Sequence, residues 1–161
     1  MTIGPKAPRR LILALATWGG VGYLPVAPGT WGSLAALPLW WLLARQGPWV
    51  YALGWAVLLA VSLMVAGSAQ DYLGKTDHSA IVIDEVAGLL IALAGLPLTW
   101  TWALAGFFVF RALDILKPWP IYWFGRGEGG LEVVADDIAA GVLTRLLLEV
   151  VMIFGGGGQG P

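Results

Sequence analysis

From Val86 to Phe110 the chain carries no charged side chain, and a second uncharged run extends from Trp49 to Ala69. A helix crosses a hydrocarbon core with about 20 apolar residues. The second run is long enough to do so, and lipid is the solvent that such stretches require. Composition agrees: 58% of residues are hydrophobic and 12% charged, against roughly 25% charged in an ordinary soluble domain. Ten tryptophans in 161 residues suit a chain whose indoles sit at a membrane interface.

The uncharged runs divide at turn signals. Trp31–Ala44 is apolar and stops at Arg45-Gln46-Gly47-Pro48, a short, tilted or re-entrant helix. Gly95-Leu96-Pro97 interrupts the longest run, because proline breaks a helix interior. This predicts one helix over 81–96 and another over 101–116, each roughly 24 Å long at about 1.5 Å per residue. A last helix is expected over 136–154, with Arg145 and Glu149 as an i,i+4 pair. The basic N-terminus before Leu11–Ala16 resembles a signal peptide but lacks a convincing cleavage site; a retained interfacial helix is expected. The fold class that follows is all-α: a polytopic bundle of about four or five short membrane helices, one domain over 1–154, with a Gly-rich tail at 155–161.

Tracing these helices back and forth puts the polar segments 18–30, 70–85 and 111–137 on one face. That face also collects Lys6, Arg9, Arg10, Lys75, Arg111, Lys117 and Arg126, seven of the nine basic residues. Lys- and Arg-rich short loops stay in the cytoplasm, so this face is assigned as cytoplasmic. The net charge of −1 offers nothing to a nucleic-acid partner.

Three acidic groups fall on the same face: Asp84-Glu85, Asp114 and Asp136-Asp137. Carboxylates beside apolar spans are costly unless paired or metal-bound. With no cysteine and a single histidine in the chain, oxygen ligands favour a hard cation, Mg²⁺ before Zn²⁺. The plainer alternative is that the acidic pairs complement helix N-terminal dipoles. Arg111, Asp114 and Lys117 recur at i, i+3, i+6 and share much of one helix face; Arg and Lys are what a phosphate needs, although a solvated charge stripe has the same spacing. Gly29, Thr30 and Ser33 lie where a Gly/Pro-rich segment opens a helix, either an anion site or an ordinary cap by Thr30. His78 is either an exposed loop residue or a proton or metal handler.

Four segments together resemble the phosphatidylglycerophosphatase A family. They are Pro25–Pro38 (PxxPGTxGSLxAxP), Ile81–Ile91 (IVxDExxGxxI), Phe110–Ile121 (FRxxDxxKPxPI) and Gly129–Gly141 (GG…DDxxAG). The resemblance implies a bacterial inner-membrane, Mg²⁺-dependent enzyme. It would remove the terminal phosphate of the lipid phosphatidylglycerophosphate, leaving phosphatidylglycerol. It carries function onto Asp84, Glu85, Arg111, Asp114, Lys117, Asp136 and Asp137. The expected division of labour gives the metal to Asp84, Glu85, Asp136 and Asp137. The phosphate goes to Arg111 and Lys117, with Gly29, Thr30 and Ser33 at the helix start. Asp114 orients Arg111 or accepts a proton. The sequence departs from the family pattern at Gly125, usually Asp, and at Glu132, usually Gly. The rival expectation is an ion or small-molecule transporter, which calls for carboxylates at mid-membrane rather than at helix ends.

Overall fold

The computed structural model describes residues 8–74, 78–125 and 130–155. Among these residues the chain is entirely helical: α1 (Arg9–Ala16), a 3₁₀ turn (Val21–Tyr23), α2 (Pro28–Ala44), α3 (Pro48–Leu73), α4 (Ile83–Ala92), α5 (Trp100–Leu116), α6 (Ile121–Phe124) and α7 (Gly130–Gly155). Two stretches, Pro48–Leu73 and Leu131–Gly155, are long and apolar enough to cross a membrane. The other helices are shorter than such a span.

α4 is the hub. Eight of its ten residues are buried, as expected of a helix that is apolar all round. Carbonyls at and just beyond its C-terminal end accept hydrogen bonds from side chains of three neighbours. Trp40 of α2 donates to Leu93 O (3.1 Å), the Tyr51 hydroxyl of α3 donates to Leu90 O, and Arg145 Nε of α7 donates to Ala94 O (2.5 Å). These bonds, with the stacking of Trp100 on Trp41 at the start of α5, fix helix directions: α2, α4 and α7 run one way, while α3 and α5 run the other. α4 and α7 approach through glycines. A Cβ at Gly88 would stand 2.6 Å from the carbonyl oxygen of Asp137, and one at Gly141 would collide with the carbonyl of Gly88.

Several helix limits differ from those expected. α4 begins at Ile83 rather than 81, because the Val82 amide donates to Ala16 O (2.9 Å) instead of entering a helix. It stops near Ala92, before Gly95, which sits at φ 69°. α2 starts three residues early, at Pro28, whose ring fixes the φ of a first helical position. Thr30 therefore does not cap it: the N-cap is Ala27, without a side-chain bond. α7 begins at Gly130, so Asp136 and Asp137 lie in its second turn and do not open it. Nothing between Leu131 and Ala135 can stop a helix.

Exposed indoles mark both ends of the bundle. Trp31, Trp119 and Trp123 lie at one end, Trp49 and Trp100 at the other, where Trp100 stacks on Trp41 at 5.5 Å. Between them the outer surface is apolar, with Leu53, Val57, Leu104, Phe108, Leu147 and Val151 exposed.

Candidate active site

The acidic residues meet at the end of the bundle formed by the N-terminal halves of α2, α4 and α7 and the C-terminal end of α5. Asp84 and Glu85 stand in the first turn of α4. One turn further on, Gly88 lets α7 in; one turn before Gly141, α7 presents Asp137. The close glycine crossing thus brings two acidic turns side by side. One oxygen from each of Asp84, Glu85 and Asp137 falls within a 4.8 Å group. Asp84, Asp114, Asp136 and Asp137 are all nearly inaccessible, at 3–8% relative exposure, so these are not solvated helix-end charges.

Asp136, expected to join this group, turns elsewhere: its carboxylate accepts from Lys117 Nζ. Asp114 accepts from Arg111 Nη1 at 2.5 Å, which ties the guanidinium to the helix that carries it. Lys117 closes α5 in the left-handed conformation, φ 43°, which aims its ammonium at α7. Burial alone would lower the affinity of this ammonium for its proton, but the hydrogen bond and charge of Asp136, with Asp137 and Asp114 behind, raise it above the ordinary lysine value.

The start of α2 completes the wall. A Cβ at Gly29 would run into the Glu85 carboxylate and lie 3.2 Å from Arg111 Nη1. Glycine here is a steric requirement, since both functional groups press against its main chain. Ser33 is buried and its hydroxyl donates to Gly29 O (2.9 Å), so it stiffens this turn. Thr30 is half-buried nearby. His78 stands apart from the carboxylate group, its Nδ1 accepting from the Ala80 amide (3.1 Å). Lys75 and Arg126 lie outside the described residues, as does the tail beyond Gly155.

Two buried polar atoms at the site have no hydrogen-bond partner: Glu85 Oε2 and Arg111 Nε. A buried carboxylate oxygen without a donor calls for a cation, and a buried guanidinium N–H without an acceptor calls for an anion. The all-oxygen donor set suits Mg²⁺, so the residues present fit the expected metal. Gly29 was expected at the phosphate side, but Gly88 and Gly141 were not singled out in the sequence as site-forming residues. Their signal was glycine within an apolar helical pattern, which points to close backbone approach.

A sequence model of the family described as Phosphatidylglycerophosphatase A matches residues 14–152. Two relatives of that name are similar across most of their length. The one from Escherichia coli (strain K12) is 42% identical over 140 residues, covering 85% of this chain and 81% of the relative. The one from Haemophilus influenzae is 39% identical over 140 residues, covering 85% and 86%. No solved structure matches. The match spans all four motif segments that build the site just described, and the chain belongs to the phosphatidylglycerophosphatase A family.

Proposed function

We propose that the protein hydrolyses the terminal phosphomonoester of phosphatidylglycerophosphate with Mg²⁺, releasing phosphatidylglycerol and inorganic phosphate in phospholipid biosynthesis. The observation that carries this reading is the largely buried group Asp84–Glu85–Asp137, with Arg111 and Lys117 on its border. Carboxylates for a cation and cations for a phosphate lie side by side at one end of the bundle, at a depth suited to a lipid headgroup. A transport pathway would place its acids midway along the helices.

Asp84, Glu85 and Asp137 would hold the metal. Bound Mg²⁺ supplies charge neutralisation and lowers the pKa of a water. Arg111 presents its guanidinium edge, including Nε, to the non-bridging oxygens, and Asp114 keeps that edge in place. Lys117 adds a point charge whose position Asp136 controls. The amino end of α2, at Gly29 and Thr30, adds main-chain dipole and a hydroxyl on the phosphate side. Water attacks phosphorus, the bond from phosphorus to the lipid oxygen breaks, and a proton given up by the water passes to that oxygen, leaving the lipid alcohol and inorganic phosphate; holding phosphate and water in line is the main service of such a site.

The bundle lies across the bacterial inner membrane as a multi-pass protein with the site at the cytoplasmic headgroup level. The indoles at both ends and the apolar surface between them support this placement. The test is phosphate release by purified protein from phosphatidylglycerophosphate, compared with phosphatidate, with Mg²⁺ and with excess chelator. Release from the first lipid only, abolished by chelator and restored by Mg²⁺, is expected. Full activity in chelator would remove the metal role, and no release from either lipid would remove the proposed function.

A further inference from the structure

Beside the ionic site the bundle has a groove of about 560 Å³ between α3, α6 and α7, and every side chain that lines it is apolar. Its floor is a stripe on α7 that includes Val134, Ile138, Ala139 and Val142, with Leu59 and Leu63 of α3 opposite. From Leu131 to Leu146 the stripe is roughly 22 Å long at about 1.5 Å per residue. One leaflet of a bilayer core is about 15 Å deep, so the groove spans the reach of one acyl chain. Its volume falls in the range of roughly 300–1,000 Å³ typical of ligand pockets.

The groove adjoins the Lys117–Asp136 corner of the site through α6 and α7. Its roof is α6, where Ile121 and Phe124 line it. The next residue, Gly125, approaches Asp136: a Cβ there would lie 3.1 Å from Asp136 Oδ2. Asp136 in turn is held by Lys117, three residues before Pro120, which also lines the groove. A molecule with its charge at Lys117 and Asp136 therefore has an apolar path leading away along α7. A peptide or a second copy of this chain matches only the apolar half; a glycerophospholipid with a phosphorylated headgroup matches both.

We propose that this groove seats one acyl chain of the lipid whose phosphate is bound at the carboxylate–Arg111–Lys117 site, and so makes chain length a determinant of specificity. The inference rests on the function proposed above, and two measurements separate the two. In the first, wild-type protein and Ala139→Trp are assayed on long-chain and on water-soluble dihexanoyl phosphatidylglycerophosphate. The indole fills the groove, and the ratio of kcat/KM for long over short chains is expected to fall at least tenfold. An unchanged ratio would overturn the inference.

The second measurement requires no turnover and no variant. Wild-type protein is photolabelled with phosphatidylglycerophosphate carrying a diazirine in one acyl chain, and with phosphatidylcholine carrying the same group. Adducts between Ile138 and Leu146 and on Leu59–Leu63, formed with the first lipid and competed by its unlabelled form, are expected. Equal labelling by phosphatidylcholine would mean ordinary boundary lipid and would overturn the inference, as would adducts confined to the outer face at Leu104 and Phe108. If the wild type released no phosphate yet labelled selectively, the groove would stand and the proposed hydrolysis would fall.

Discussion

Gly88 and Asp137 meet through their backbones: a Cβ on Gly88 would stand 2.6 Å from the Asp137 carbonyl oxygen and 2.9 Å from two ring carbons of Phe110. Backbone and a buried ring cannot yield cheaply. Gly88→Ala is therefore expected to push α7 away from α4, costing about 1–3 kcal/mol of stability as overpacking does. It also shifts Asp137 relative to Asp84, and a displacement of about 1 Å at a reacting centre can cost about 10²-fold. Thermal unfolding in detergent together with phosphate release checks both effects. An alanine variant with wild-type activity would show that the crossing does not set the carboxylate spacing.

The carboxylates are expected to separate into two classes. Asp84→Asn and Asp137→Asn remove charge from the three-acid group and should lower kcat by about 10²-fold or more, with a weakened Mg²⁺ affinity in titrations. Asp136→Asn leaves that group intact but frees Lys117, so its main effect should be on KM. Equal Mg²⁺ affinity in all three variants would show that this division is wrong.

Lys117 carries a pH prediction. Its folded-state proton affinity is raised, once the burial that opposes charge is outweighed by Asp136 and its neighbours. A base with a raised pKa gives its stabilisation in full below the unfolded value, about 10.4 for lysine, and loses it only as pH rises through the higher folded value. The alkaline limb of kcat/KM below about pH 10 should therefore owe nothing to Lys117. Lys117→Arg should keep the same profile; a limb near neutrality that disappears in this variant would contradict the assignment.

How much of this was legible in the sequence depends on what ends each element. α5 was read within one residue because Thr99 and Lys117-Pro118 bound it with local chemistry, the Thr99 hydroxyl accepting from the Trp102 amide. α4 was overextended because its start is set by a tertiary bond from Val82 to Ala16, which no local pattern announces. The acids of the site were legible as residue types, since a carboxylate beside an apolar run must be compensated. Their partition was not: that Asp136 faces Lys117 while Asp137 faces Asp84 depends on how two helices cross at Gly88 and Gly141. The i,i+4 pair of Arg145 and Glu149 was legible and forms; the bond from Arg145 to Ala94, 51 residues away, was not.

Glu149 provides the control for that last pair. It lies about three and a half turns beyond Asp136 on α7, remote from the site, so Glu149→Gln should leave kcat within about twofold, roughly 0.4 kcal/mol of barrier. Arg145→Leu, which strips Ala94 O of its donor and leaves Glu149 unpaired, should destabilise by about 1–3 kcal/mol. Comparable loss of chemistry in Glu149→Gln and Asp137→Asn would mean that both act through folding.

Gly125 and Glu132 depart from the family pattern at one corner of the site. A Cβ at Gly125 would lie 3.1 Å from Asp136 Oδ2, and Glu132 stands one helical turn before Asp136 on α7, half-buried. An acid at position 125 would stand beside Asp136, and Glu132, one turn earlier on α7, is the acid whose replacement of it the following variants test. With Glu132 in place, Gly125→Asp should change activity by no more than about threefold, roughly 0.7 kcal/mol, because Lys117 already has its counter-charge. Glu132→Ala should raise KM, and Gly125→Asp introduced into that background should restore part of the loss. The four proteins form a double-mutant cycle whose coupling energy is the readout. A fully active Glu132→Ala enzyme would show instead that the chain needs no second acid at this corner, and that Asp136 alone suffices to position Lys117.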